Sequence, residues 1–69
     1  MPLTIRQQGY NVAVETISGY LDMPREALEK TKDATVANVT KYKLLGFTED
    51  AVSFAEGLAE GCEDMLRVM

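Results

Sequence analysis

The segment that decides the fold is Gly46-Phe47-Thr48-Glu49-Asp50. Gly46 is typical of the residue that follows a helix, because glycine adopts the left-handed conformation found there without steric cost. Thr48 is a favourable N-cap, and the two acidic residues after it would lie in a first helical turn, where the helix dipole stabilises negative charge. The segment therefore predicts that one helix ends at about residue 45 and that another begins at Thr48.

The helix after this segment has the clearest pattern in the chain. From residue 51 to residue 69, apolar residues recur at steps of three and four, which predicts an amphipathic helix over about residues 48–68. Phe47 and Val52 are spaced for a hydrophobic staple across its first turn. Cys62 lies on the apolar stripe, where we expect a buried and unreactive thiol.

The segment before residue 46 also predicts a helix. Asp22 is a candidate N-cap and Pro24 suits a first turn, and the stretch from Met23 to Leu45 contains no glycine and no further proline. Such a helix would be roughly 35 Å long at 1.5 Å per residue. Its apolar face, from Ala27 to Leu45, is diluted by polar residues at positions 31, 35 and 38.

Two structures are compatible with the N-terminal segment. Thr4 and Gln7 have the spacing of a capping box, which predicts a helix from Thr4 to about Ser18 that ends at Gly19. Alternating apolar residues on both sides of Gln8-Gly9 would instead fit two short strands. We favour the helix, because an isolated two-stranded hairpin is weak in water.

These elements predict an all-α protein in which a shorter N-terminal helix precedes a long antiparallel helical hairpin, since a short connection makes two helices antiparallel neighbours. The 69 residues suit a single small helical domain. A core this small is often completed by self-association, so we expect a homodimeric helical bundle. The residues expected at the contact between copies are apolar: Leu28, Val39, Tyr42, Phe54, Leu58 and Met65.

Composition excludes several classes of function. The chain has no histidine, one cysteine and no tryptophan, so His-based catalysis and His- or Cys-based metal sites are absent. No glycine-rich phosphate-binding motif occurs. We expect a non-enzymatic protein without cofactor or metal. No signal peptide and no apolar run of roughly 20 residues is recognisable, and a single thiol suits a reducing compartment, so we expect a cytoplasmic location.

Charge and glycine spacing suggest where a partner protein could bind. Residues 47–69 carry six acidic side chains against one arginine, although the whole chain has a net charge of only -4. Gly57 and Gly61 lie one turn apart, a spacing that lets another helix approach closely. Solvated carboxylates and packing of the glycines against the N-terminal helix are the structural alternatives. The candidate partner-binding residues are Glu56, Gly57, Glu60, Gly61, Glu63 and Asp64.

The segment from Ile17 to Lys30 loosely resembles the helix-turn-helix of small transcription regulators. The resemblance would imply DNA binding, with the helix after Pro24 in the major groove. The sequence departs from the pattern at Asp22, where glycine is usual. The start of the would-be recognition helix has no net positive charge, because its three cations, Arg25, Lys30 and Lys32, are balanced by three carboxylates, Glu26, Glu29 and Asp33.

The function expected from the sequence is therefore a small protein-binding module, acting through helix–helix contacts as an adaptor, inhibitor or regulatory subunit. One alternative is a DNA-binding regulator of the helix-turn-helix type. Another is an acidic decoy that occupies a nucleic-acid-binding protein through Glu56, Glu60 and Glu63.

Overall fold

A computed structural model describes residues 2–19 and 24–68 of the chain. The described residues form three helices, α1 (Ile5–Gly19), α2 (Arg25–Leu44) and α3 (Glu49–Val68), and they include no β-strand. The all-helical prediction is confirmed, and the strand alternative for the N-terminal segment is not adopted. None of the three helices, within the described ranges, combines the length and apolar character needed to cross a bilayer.

Helix α1 begins with the predicted capping box. The Thr4 amide donates a hydrogen bond to Gln7 Oε1 at 2.9 Å, and the Gln7 amide donates to Thr4 Oγ1 at 3.1 Å. The two residues thus satisfy each other's backbone N–H groups, which would otherwise lack partners at a helix start. This reciprocal pair explains why α1 starts at Ile5.

Helix α2 begins later than the sequence predicts. Pro24 is its N-cap in an extended conformation (φ -68°, ψ 149°), and no side chain caps the helix there. The proline therefore lies just before the first turn instead of within it. The predicted cap Asp22 and the predicted first residue Met23 lie outside the described residues.

The connection from α2 to α3 is a fully hydrogen-bonded helix stop. Gly46 has a φ of 76°, as predicted for the residue after a helix, and its amide donates to Lys43 O at 3.2 Å. The Phe47 amide donates to Tyr42 O at 3.0 Å, which completes a Schellman motif. The Phe47 ring stacks on the Tyr42 ring, with centroids 4.7 Å apart, a contact that the staple prediction did not include.

Thr48 then caps α3 as predicted. Its Oγ1 accepts a hydrogen bond from the Ala51 amide at 3.3 Å, and its carbonyl accepts one from the Val52 amide at 3.1 Å. Glu49 and Asp50 occupy the first turn of α3, next to the positive end of the helix dipole. The turn and the cap together fix where the second long helix starts.

Helix α3 is the centre of the molecule. It contacts both α1 and α2, whereas no Cα atom of α1 lies within 8 Å of one of α2 in the described ranges. The smallest extent of the molecule is 16 Å, about one and a half times the diameter of one helix, which is about 10–12 Å. The three helices therefore form a thin layer. Its core cluster consists of Ala13, Ile17, Leu28, Cys62 and Leu66.

Candidate functional site

The predicted glycine pair on α3 is the contact surface for α1. A Cβ atom on Gly57 would meet the backbone of Arg6 and lie 2.9 Å from the Tyr10 nitrogen. A Cβ atom on Gly61 would lie 2.6 Å from the Ala13 Cβ and 2.9 Å from the Tyr10 carbonyl oxygen. Both glycines are buried, so the close approach that they permit is made by α1 of the same chain. An external partner would have to displace α1 to reach them.

Gly9 is the matching residue on α1, and the sequence interpretation missed it. A Cβ atom there would meet the carbonyl group of Phe54 and lie 3.2 Å from the Leu58 nitrogen. The sequence alone places Gly9 only at the turn of a possible strand pair. The signal that could have identified it is the spacing of Gly9 and Ala13, two small residues one turn apart on a helix.

Most of the predicted acidic residues also face α1. Arg6 forms ion pairs with Glu60 and with Glu56, the latter at 3.9 Å. The Tyr10 hydroxyl donates a 2.6 Å hydrogen bond to Asp64 Oδ2. Glu63 is exposed and forms no ion pair with a described residue. Three of the four predicted acidic residues are thus engaged within the chain.

The hydrogen bond between Tyr10 and Asp64 changes the acidity of the tyrosine. Because the hydroxyl donates to a carboxylate, loss of its proton would break the bond, and this raises the pKa of Tyr10 above its ordinary value. Partial desolvation and the negative charge of Asp64 act in the same direction, and Arg67 opposes them weakly. Tyr10 therefore keeps its proton at neutral pH and remains a hydrogen-bond donor to Asp64.

The residues predicted to join two copies are unequally accessible. Leu28 has no exposed surface, because it fills the core between α2 and α3, so it cannot contact a second copy of the folded chain. The other five are half-buried: Val39, Tyr42, Phe54, Leu58 and Met65. Leu58 and Met65 pack against the core and expose only part of their side chains.

A groove without charged residues opens between α1 and α2, with α3 as its floor. Its volume is about 230 Å³, and Leu58 and Cys62 form the floor. The hydroxyl groups of Thr31 and Thr35 donate to the backbone of α2 one turn earlier, at 3.0 Å and 2.8 Å, and so are already satisfied. The residues that line the groove are Val12, Ala13, Thr16, Ile17, Thr31, Thr35, Leu58 and Cys62.

Cys62 contributes to this groove as an apolar atom and not as a nucleophile. It is buried and forms no disulfide. Burial raises the pKa of its thiol, because the thiolate would lose hydration, while a backbone hydrogen bond opposes this weakly. The thiol therefore stays protonated at neutral pH.

A second pocket, unlike the groove, is lined by charged residues. It also has a volume of about 230 Å³, and Arg6, Glu56 and Glu60 lie in its wall beside Val36 and Val39. The two pockets share no residue. The layer therefore has an uncharged groove and, elsewhere, a pocket lined by ion pairs.

The three cations at the start of the predicted recognition helix each contact a carboxylate of this chain. Lys30 pairs with Glu26 at 3.9 Å, and Lys32 pairs with Asp33 at 3.1 Å, which together with more distant carboxylates raises the pKa of Lys32. Arg25 forms an ion pair with Glu29 of the same helix and also donates a hydrogen bond to the backbone carbonyl of Leu66 in α3. The turn of the helix-turn-helix resemblance, residues 20–23, lies outside the described residues.

Apolar residues at the end of the layer were also missed or misplaced by the sequence interpretation. Leu44 is 83% exposed, Leu45 is 61% exposed and Phe47 is 49% exposed. Placing Leu45 on the inner face of the second helix was therefore wrong, because the helix stop at Gly46 turns the chain away there. Two adjacent leucines at a helix end were the available signal, since both cannot face the same neighbour.

No group of histidine, cysteine and acidic residues in the described ranges is arranged to hold a metal ion. Comparisons of the chain with protein-family models, with curated proteins and with solved structures found no match.

Proposed function

We propose that the chain is a non-enzymatic protein-binding module and that its uncharged groove receives an amphipathic helix of a partner protein. The observation that supports this most is the lining of the groove, in which eight residues from three helices include no charged side chain. Recognition of a helix by an apolar groove is a common mode of protein binding. Such a module would act as an adaptor, an inhibitor or a regulatory subunit.

The thin shape of the molecule supports this proposal. Domains are usually built from at least two packed layers, because each layer must bury an apolar side. Here Leu58 is only half-buried, and the groove between α1 and α2 is open above it and above the buried Cys62. A helix laid into the groove would supply the missing layer and bury apolar surface, the main source of affinity in such contacts.

The proposal includes three finer statements about the chain. We infer that α2 and α3 form an antiparallel hairpin, supported by the hydrogen bond from Arg25, at the start of α2, to the carbonyl of Leu66 near the end of α3, at 3.2 Å. We infer that the protein is a homodimer, since its own core is small. We also infer a cytoplasmic location, where an unpaired thiol such as that of Cys62 remains reduced.

Two valines provide a matched test of the groove. Val12 is 44% exposed and lines the groove, whereas Val36 is 48% exposed and lines the charged pocket. Val12→Lys places a charge where the partner helix would lie, and Val36→Lys places the same charge beside Glu56 and Glu60. The full-length chain and both variants are immobilised, and proteins captured from a lysate of the native cells are quantified by mass spectrometry.

We expect one protein to be captured in near-stoichiometric amount by the wild type and by Val36→Lys, and at least tenfold less by Val12→Lys, since a buried unpaired charge costs several kcal/mol. Equal capture by all three chains would contradict the groove as the binding surface. Absence of capture by the wild type, or capture of nothing except further copies of the chain, would contradict the partner-binding function.

A further inference from the structure

The end of the layer, where α2 turns into α3, exposes more large apolar surface than any other described segment of similar length. Leu44, Leu45 and Phe47, which we call the apolar tip, are 83%, 61% and 49% exposed within four consecutive positions. Isolated exposed apolar residues need no explanation, but a contiguous group often marks an interaction surface.

The apolar tip is held in a fixed conformation. Gly46 takes the left-handed conformation, the Phe47 amide is bonded to the Tyr42 carbonyl, and the two aromatic rings stack within 3° of parallel. An interaction surface that is already ordered loses little conformational entropy on binding. The exposure of the apolar tip is thus a property of a rigid turn.

The charges around the apolar tip are unusual for this chain. Five of its seven lysines and arginines form ion pairs with carboxylates, namely Arg6, Arg25, Lys30, Lys32 and Arg67.

The two remaining cations, Lys41 and Lys43, lie in the last turns of α2 beside the apolar tip, and neither is in an ion pair with a described residue. On the other side, Glu49 and Asp50 open α3 and are likewise unpaired among the described residues. Each pair interacts favourably with the dipole of its own helix, and both remain exposed.

We propose that the apolar tip is the surface through which two copies of this chain associate, related by a twofold axis. In this arrangement Leu44, Leu45 and Phe47 of one copy contact the same residues of the other. The twofold axis is the one that brings the end of α2 in one copy towards the start of α3 in the other, which makes the surface complementary to itself. The unpaired lysines of each copy then face the unpaired carboxylates of its mate.

The balance of charge favours a second copy over other occupants. The surface presents two positive and two negative side chains, so an identical surface offers four favourable pairs at once. An anionic membrane or nucleic acid would attract Lys41 and Lys43 but repel Glu49 and Asp50. The inference rests on the proposed homodimer and names its surface, which is separate from the groove proposed for a partner helix.

Charge reversal in two complementary chains tests the arrangement. One chain carries Lys41→Glu with Lys43→Glu, so that its tip is entirely acidic, and the other carries Glu49→Lys with Asp50→Lys, so that its tip is entirely basic. We expect the wild type to dimerise with an affinity that weakens as salt rises, since exposed charge pairs are screened. Each variant alone should be at least tenfold weaker, because like charges meet, and an equal mixture should form a 1:1 heterodimer in sedimentation equilibrium.

The proposal is overturned if the mixture stays monomeric while circular dichroism shows both variants to be helical, or if either variant alone dimerises as well as the wild type. A wild type that remains monomeric at millimolar concentration also overturns it, and leaves the groove proposal standing.

A second pair of variants tests the apolar part without altering charge. Leu44→Gln should weaken self-association severalfold, whereas Val68→Gln, at a residue that is 77% exposed near the end of α3, should not. The groove variant Val12→Lys should dimerise as the wild type does. Loss of dimer in Val12→Lys but not in Leu44→Gln would place self-association in the groove and refute the role of the apolar tip.

Discussion

Helices α1 and α2 contact the same central helix in opposite ways. α1 approaches α3 backbone to backbone, across Gly9 on one side and Gly57 and Gly61 on the other. α2 is longer, yet Leu28 is its only buried residue, and the rest of its inner face is half-buried or exposed. Close packing of helices is therefore achieved here where side chains are absent, whereas α2 keeps its side chains and buries only one large residue.

The largest effect is expected from truncating Leu28, the one buried residue of α2. Leu28→Ala should lower the free energy of unfolding by about 2–5 kcal/mol, the usual cost of truncating a fully buried leucine. A domain of this length has a total stability of only about 3–10 kcal/mol, so α2 should detach or the whole chain should unfold. Urea denaturation followed by circular dichroism measures the loss.

Val36→Ala on the same helix is the control, since Val36 is 48% exposed. It should change stability by no more than about 0.5 kcal/mol, as surface substitutions usually do. Similar losses for the two variants would contradict the view that α2 depends on one anchor.

A methyl group added to the contact between α1 and α3 should also destabilise the fold. Gly57→Ala places a Cβ against the backbone of Arg6 and 2.9 Å from the Tyr10 nitrogen, and backbone atoms cannot turn aside as a flexible side chain can. Overpacking should cost about 1–3 kcal/mol, offset in part by the higher helix propensity of alanine. We expect a net loss of about 1–2 kcal/mol in the same urea measurement.

Gly19→Ala provides the matched control on α1. Among the described residues, no further atom would lie within 4 Å of a Cβ at Gly19, so the gain in helix propensity is the expected effect. This variant should be neutral or more stable than the wild type by up to about 1 kcal/mol. A stabilising Gly57→Ala would show that α1 can move away from α3 at little cost.

The sequence predicted the elements of this fold because their boundaries are encoded locally. The capping box at Thr4, the helix stop at Gly46 and the cap at Thr48 each depend on residues within five positions, and all three occur in the structure. The start of α2 was predicted less well, because its N-cap Pro24 offers no side-chain hydrogen bond.

The sequence could not predict which helix packs against the glycines of α3. Gly57 and Gly61 indicated a close contact, but the residue that completes it, Gly9, is 48 positions away from the first of them and could also be a turn residue. The ion pair between Arg6 and Glu60 and the hydrogen bond from Tyr10 to Asp64 likewise depend on the tertiary structure. Surfaces that appear free in a sequence can be occupied by the chain itself.

The hydrogen bond between Tyr10 of α1 and Asp64 of α3 should make the stability of the fold depend on pH. Because the pKa of Tyr10 is raised in the folded chain, the bond to Asp64 stabilises fully below the unfolded tyrosine pKa of about 10. This contribution is lost as pH rises through the higher folded-state value. Thermal melting from neutral to strongly alkaline pH should show a loss of stability in wild type that Tyr10→Phe shows less. Identical pH profiles would mean that the bond does not hold α1 in solution.

The smallest expected effect concerns α2, the helix that buries only one residue. Thr31 is exposed on α2 and its hydroxyl bonds the Ala27 carbonyl of its own helix, an arrangement that does not join α2 to α3. Thr31→Ala should therefore stabilise the chain by roughly 0.5 kcal/mol through helix propensity alone. Thr40→Ala, at an exposed threonine of the same helix, is the control and should give a similar gain. If Thr31→Ala lowers the melting temperature while Thr40→Ala raises it, Thr31 contributes to tertiary packing, and α2 is held by more than its leucine anchor.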